Sequence, residues 1–243
     1  MKTGTLYGIG VGPGDPELVT VKAARILASC GHVFVPKARI KAESVALTIA
    51  RRYISKNARI HELTFPMTKD SSELTRRWKD NGREVASILS SGEDAAFLTL
   101  GDLFLYSTYI YLLKELKKLM PQAEIVSVPG VTAFSLASAL TAFPVGEGSE
   151  PIMVIPAAVT DINVIREALK KPGTVILMKI DKRLPEIINI MEETGVIERA
   201  VMVSRAGMED QRIETDLRVL QNCEPQTGYL SIILIHTAKG EQQ

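Results

Sequence analysis

A chain of 243 residues, 46% of them hydrophobic and 23% charged, can build one large domain or two small ones around sizeable cores. A formal net charge of +1 with no long Lys/Arg block argues against a nucleic-acid partner, and no apolar run reaches membrane-spanning length. Two cysteines, Cys30 and Cys223, make no disulfide framework, and the N-terminus enters a strand pattern with no signal-like segment, so a cytoplasmic protein with reduced thiols is expected.

Strand-like and helical runs alternate through the first half. "TLYGIGVG" reads as a buried strand, and "PELVTVKAARILASCG" as a helix that starts between two possible N-caps, Asp15 and Thr20, and stops at Gly31. "HVFVP", "ARIHELTF", "DAAFLTLG" and "AEIVSVPG" are further short apolar strands. Between them "ESVALTIARRYI", "SSELTRRWKDNGREVASILSSG" and "LYSTYIYLLKELKKLM" carry apolar residues at helical spacing. This alternation implies a mainly parallel sheet covered on both faces. A Gly-, Pro- and acid-rich break at about 142–151 precedes "IMVIPAAV", "TVILMKI", "AVMVSRAG" and "YLSIILIHTA", with helices "DINVIREALKK" and "RLPEIINIMEETG" among them. Two α/β domains are expected, 1–145 and 146–243, with a small-molecule cleft between them.

Three glycine turns stand out. In "LYGIGVGPGDPELVTVK", Gly8, Gly10, Gly12 and Gly14 recur at every second position, so no register yields G-x-G-x-x-G. A P-loop fails as well, because no Lys-Ser or Lys-Thr pair follows, and Pro13 lacks an N–H that a phosphate cradle would use. The second turn, "LTLGDLFLYSTYIYL", ends a buried strand at Leu100-Gly101-Asp102. There Gly101 lets a ligand approach the backbone, and Asp102 caps the next helix or bonds the ligand. The helix after it would carry Tyr106, Tyr109 and Tyr111, which do not share one face. The third turn, "IVSVPGVTAFSLASAL", passes through Pro129-Gly130 to Thr132 and Ala133, which open a helix of small residues. His32, His61 and His236 stand alone, and no protein-bound metal is expected.

"YGIGVGPGDPELVTVKAAR", "GDLFLY", "VPGVTAFS" and "LMK" in that order resemble the tetrapyrrole methylases, over about residues 4–238. "HELTFPMTKD", the downstream Trp78, "AAFLTLGD" with "YST", "GSEPIMVIPA" and "GYLS" resemble the branch that methylates C20 of precorrin-2 or cobalt-factor II in cobalamin synthesis. The resemblance implies two α/β domains with S-adenosylmethionine bent in a cleft, a carboxylate-rich tetrapyrrole substrate and a homodimer. It places donor contacts at Pro13, Leu100, Gly101, Asp102, Leu105, Thr132 and Ala133, and further ones at Met178, Ala206 and Gly207. It sets Tyr229 near the substrate, where Asp15 and Tyr106 are further contacts. The family has proline after Gly-Asp where this chain has Leu103, so a less rigid turn is expected there.

Such a reaction asks more of alignment than of acid–base groups: holding the methyl within about 3–3.5 Å of its acceptor supplies several kcal/mol. Asp15, Asp102 and Tyr229 are candidates for the group that accepts the displaced proton, with Asp102 and Tyr229 the expected catalytic residues. Lys37, Arg39 and Lys41 in "VPKARIK" follow a strand end and suit carboxylate arms, and a solvated basic loop is the alternative. A nicotinamide oxidoreductase is disfavoured by the glycine spacing and by Val33, Phe34 and Val35 where a ribose-binding acid would stand. A sister methylase acting on another ring carbon, or a non-catalytic tetrapyrrole binder, is the remaining rival.

Overall fold

The computed structural model describes residues 2–37, 44–66, 68, 70–224 and 226–237. The chain divides between Thr132 and Ala133 into two compact units. The first holds strands β1 (Thr5–Gly10), β2 (His32–Lys37), β3 (Arg59–Thr64), β4 (Ala95–Thr99) and β5 (Glu124–Val128), with helices α1 (Val21–Ser29), α2 (Val45–Ala50), α3 (Ser71–Ser90) and α4 (Tyr109–Leu119). The strands form an all-parallel sheet in the order β3-β2-β4-β1-β5. In register, Gly10 lies opposite Thr99 of β4 and Ile9 opposite Val128 of β5.

The near-continuous apolar runs are explained by burial on both faces. Ile9, Val33, Val35, Ala96 and Leu98 pack with Ala23 and Leu27 of α1 and with Ala46 and Ile49 of α2. Their alternates Leu6, Phe34, Ala95 and Phe97 pack with Val85 and Leu89 of α3 and with Leu112 and Leu116 of α4. Each such leucine or phenylalanine contributes about 1.5–3 kcal/mol by leaving water. Both candidate N-caps are used. Asp15 caps a single 3-10 turn at Pro16–Leu18, its Oδ1 accepting from Glu17 N at 2.8 Å. Thr20 Oγ1 then caps α1 by accepting from Ala23 N at 3.2 Å.

The second unit comprises α5 (Ala133–Thr141), β6 (Ile152–Pro156), α6 (Ile162–Leu169), β7 (Thr174–Met178), α7 (Leu184–Glu193), β8 (Ala200–Ser204), β9 (Arg212–Glu214) and β10 (Ser231–His236). Its sheet runs β6-β7-β10-β8-β9, with only β6 and β7 parallel and the other neighbours antiparallel. Helices α6 and α7 cover one face through Ile165, Leu169, Ile187 and Met191. The opposite face, built from Ile176, Val201, Val203, Ile232 and Leu234, is covered by Phe134, Leu136 and Ala137 of α5. Helix α5 therefore goes with the second sheet, and the division falls ahead of the composition break at 142–151. Strand β9 was not expected, because its three largely exposed residues carry no apolar pattern.

At the amino end of the first sheet, His32 is buried. Its Nδ1 lies 2.9 Å from His61 Nε2, and its Nε2 lies 2.9 Å from Glu93 Oε2. Burial first, and then the neighbouring His32, lower the His61 pKa, against the opposing pull of Glu84. Burial lowers that of His236 in the second unit as well. A histidine with a lower pKa folded than unfolded takes up more protons on unfolding. Its contribution to stability is present above about pH 6.5 and is lost as pH falls through the lower folded value. Urea denaturation midpoints are therefore expected to drop from about pH 7.5 to pH 5, with a smaller drop in His61→Gln; an equal drop in both proteins would contradict this account.

Candidate functional site

In the first unit, β1 is followed by α1 on one face of the sheet, while its neighbour β4 is followed by α4 on the other. Carboxyl ends at such a reversal form a crevice where ligands bind. The three glycine turns extend from β1, β4 and β5, which are adjacent strands, so all three meet there. Gly101 N donates to Gly12 O at 2.8 Å, and Gly12 N donates back to Gly101 O at 3.3 Å. Both glycines have left-handed backbones, with φ of +80° at Gly12 and +71° at Gly101.

The alternate glycines of the first turn have separate duties. A Cβ on Gly8 would lie 2.4 Å from the Tyr109 ring, so Gly8 makes room for that side chain on β1. A Cβ on Gly10 would lie 2.5 Å from Gly130 N, and one on Gly130 would lie 2.2 Å from Gly101 O. The three turns thus pack backbone against backbone. Gly101 differs: it is buried, yet a Cβ there would meet nothing nearer than Val131 O at 4.0 Å. A Cβ there would therefore make an ordinary van der Waals contact and no clash, so the Gly101 backbone is the uncrowded one at this junction.

Asp102 ties two of these turns together. Its Oδ1 accepts from Phe104 N at 2.9 Å and its Oδ2 from Gly130 N at 3.2 Å. It does not cap the following helix, because α4 begins only at Tyr109. Tyr106, expected on that helix, lies in the turn before it with φ of +53° and is 39% exposed. The reason is a hydroxyl pair: Ser107 Oγ lies 2.8 Å from Thr99 Oγ1 and accepts from Tyr109 N at 3.1 Å, which holds 101–108 off the helix axis. Tyr109 is fully buried, its hydroxyl 3.1 Å from Ser127 Oγ, and burial raises its phenol pKa. Tyr111 stacks on Trp78 with ring centres 4.4 Å apart. Leu103, expected to loosen this turn, sends its side chain wholly into the core beside Phe97, Tyr109 and Leu112.

Among the other first-unit candidates, Pro13 is buried next to Gly12, and Leu100, Leu105 and Thr132 are half-buried at the strand ends. Asp15 is turned toward its own backbone as a cap. Lys37 Nζ lies 2.7 Å from Glu62 Oε2, so its charge is already partnered. Arg39 and Lys41 fall outside the described residues.

In the second unit, Met178 closes β7, Ala206-Gly207 follow β8, and Tyr229 precedes β10. Because β10 is antiparallel to both neighbours, all of them stand at one end of that sheet. Tyr229 is exposed and Ala206 is buried under the face that α5 covers. Lys179, Asp181, Arg205 and Leu230, each at this end, have left-handed φ between +49° and +55°. Such backbones cost non-glycine residues about 1–3 kcal/mol each and gather at functional sites. Cross-turn bonds hold them: Arg205 N donates to Leu230 O at 2.9 Å and Asp181 N to Gly228 O at 3.1 Å. Lys179 was missed in the sequence. Although its residue is exposed, the surrounding protein desolvates the amine and lowers its pKa. Only its place at the end of a buried strand signalled it.

Residues 5–220 match the family of Tetrapyrrole (Corrin/Porphyrin) Methylases. A cobalt-precorrin-2 C(20)-methyltransferase of Salmonella typhimurium is 32% identical over 234 residues, 96% of each chain. Among solved structures, a cobalt precorrin-4 methyltransferase aligns with a TM-score of 0.74 at 20% identity, over 96% of this chain and 94% of its own. The uroporphyrin-III C-methyl transferase of Thermus thermophilus complexed with S-adenyl homocysteine aligns with a TM-score of 0.64 at 19% identity, over 96% and 97%. These structural likenesses establish the fold.

If the three turns depend on missing side chains, Gly130→Ala should destabilise the protein by about 1–3 kcal/mol or more in urea denaturation. Gly31, where an added Cβ meets nothing within 4 Å, is the control, and Gly31→Ala should shift stability by no more than about 1 kcal/mol. Equal effects at both positions would contradict the packing described.

Proposed function

The chain belongs to the tetrapyrrole (corrin/porphyrin) methylases, and on that premise we propose that it transfers a methyl group from S-adenosylmethionine to C20 of a precorrin-2-type macrocycle, metal-free or cobalt-loaded. The reaction named for the Salmonella relative, at that identity and coverage, supports the choice of ring carbon. The observation that carries a donor site is the convergence of the three glycine turns at the adjacent ends of β4, β1 and β5, where the Gly101 backbone is uncrowded and Asp102 stands next to it. This cradle suits a nucleoside donor that must approach the main chain closely. The first turn is unsuited to a phosphate, since Gly8 makes room for the Tyr109 ring, Gly10 packs against the Gly130 backbone and Pro13 offers no N–H.

When bound, the donor supplies a sulfonium-activated methyl group to an electron-rich meso carbon. Pro13, Leu100, Gly101, Asp102, Leu105, Thr132 and Ala133 are the proposed donor contacts. Asp102 serves by holding two turns in fixed register while its remaining lone pairs stay available to a ligand donor group. Fixing the turns in advance lowers the entropic part of the barrier, which suits a reaction governed by alignment. Tyr106 and Asp15 are proposed substrate contacts, and Lys37 shares its charge between Glu62 and any carboxylate it meets. For the second unit, the strand end with Met178, Ala206, Gly207 and Tyr229 is proposed as its ligand-facing edge, with the desolvated Lys179 amine beside Met178.

The test is incubation of the full chain with methyl-labelled S-adenosylmethionine and, in parallel, the metal-free and the cobalt-loaded macrocycle, followed by NMR of the product. Label at C20 from at least one substrate is expected. No transfer to either, or label on another ring carbon, would overturn the proposal.

A further inference from the structure

We propose that Phe104 is a specificity-determining residue that presents its ring to the conjugated face of the macrocycle; this rests on the methyltransferase reading above. Phe104 is 55% exposed, although it lies in the turn that carries Gly101 and Asp102 at the carboxyl end of β4. An isolated exposed apolar residue ordinarily needs no explanation. This one is mounted. Its amide donates to Asp102 Oδ1 at 2.9 Å, the carboxylate that also holds Gly130. Its ring stands edge-on to Tyr109, with centres 5.6 Å apart and planes at 66°. Tyr109 is itself immobilised by complete burial and by its contact with Ser127. Backbone and ring are thus both fixed by groups that do not depend on a ligand, and an apolar face is left toward solvent. Holding an aromatic ring ready in this way lowers the ordering cost of binding.

Phe104 brings no charge or hydrogen bond, so it cannot read carboxylate arms. It offers a flat π surface, which suits a conjugated ring system. Tyr106, exposed two residues further along the same turn, is a second aromatic side chain there. Phe104 contributes to macrocycle binding and not to the donor site, whose proposed contacts are the neighbouring Gly101, Asp102 and Leu105.

The test compares wild type, Phe104→Leu and Phe104→Tyr. Measurements are steady-state methyl transfer, calorimetry with S-adenosylhomocysteine, and thermal midpoints. Phe104→Leu, which keeps apolar bulk but loses the π face, should raise the macrocycle KM about tenfold and leave kcat within about twofold. Its S-adenosylhomocysteine affinity and thermal midpoint should match wild type, and Phe104→Tyr should restore the wild-type KM. An unchanged KM in Phe104→Leu would overturn the inference, as would parallel loss of KM, S-adenosylhomocysteine affinity and thermal midpoint, which would mark a packing role. A wild type that binds S-adenosylhomocysteine but methylates neither macrocycle would instead overturn the function on which the inference depends.

Discussion

Backbone rests directly on backbone where the ends of β1, β4 and β5 meet, and only residues without a Cβ permit the approach. Gly10 and Gly130 are the positions where a Cβ would collide, each against the other and against Gly101 O, and the paired N–H and C=O groups of Gly12 and Gly101 close the contact. Asp102 adds a carboxylate bridge from the second turn to the third. The strand order makes this possible, since β4, β1 and β5 are neighbours although the chain reaches them far apart. The donor site and the aromatic contact proposed for the first unit depend on that junction, because it fixes Asp102 and Phe104 and leaves the Gly101 backbone uncrowded.

The two units reach similar ends by different backbone chemistry. In the first, Gly12 and Gly101 take left-handed positions and Gly10 and Gly130 the crowded ones at little steric cost, with Tyr106 the left-handed side chain of the same turns. In the second, Lys179, Asp181, Arg205 and Leu230 take left-handed conformations that disfavour side chains, and their neighbours across the turns hold them there. The cores beneath each sheet are what make such strain tolerable. Two-sided burial of both sheets gives strands that do not shift, so the turns above them inherit fixed positions.

Much of this was legible in the residues. Short apolar runs bounded by glycine and proline marked nine of the ten strands among the described residues, and apolar spacing marked the helices there. The failed dinucleotide spacing turned attention from phosphate to another ligand. What was not legible involves pairings between distant turns. Asp102 read as a helix cap or a ligand contact, but its partners include Gly130, which no local pattern relates to it. Tyr106 matched a helical period that the Thr99–Ser107 hydroxyl bond overrides. Helix α5 follows β5 in the chain but covers the second sheet, because its apolar face meets Val201, Val203 and Leu234. Desolvation of Lys179 depends on surroundings that sequence order does not report.

Amide hydrogen exchange of the full chain with and without S-adenosylhomocysteine tests the central claim most directly, because it reads each turn separately without altering a residue. The thioether should slow exchange across 9–14, 100–106 and 128–133 together, since the three segments form one mechanically linked junction. Binding that leaves these segments unchanged, or that slows exchange only elsewhere, would contradict the claim that the glycine-packed strand ends are the donor site.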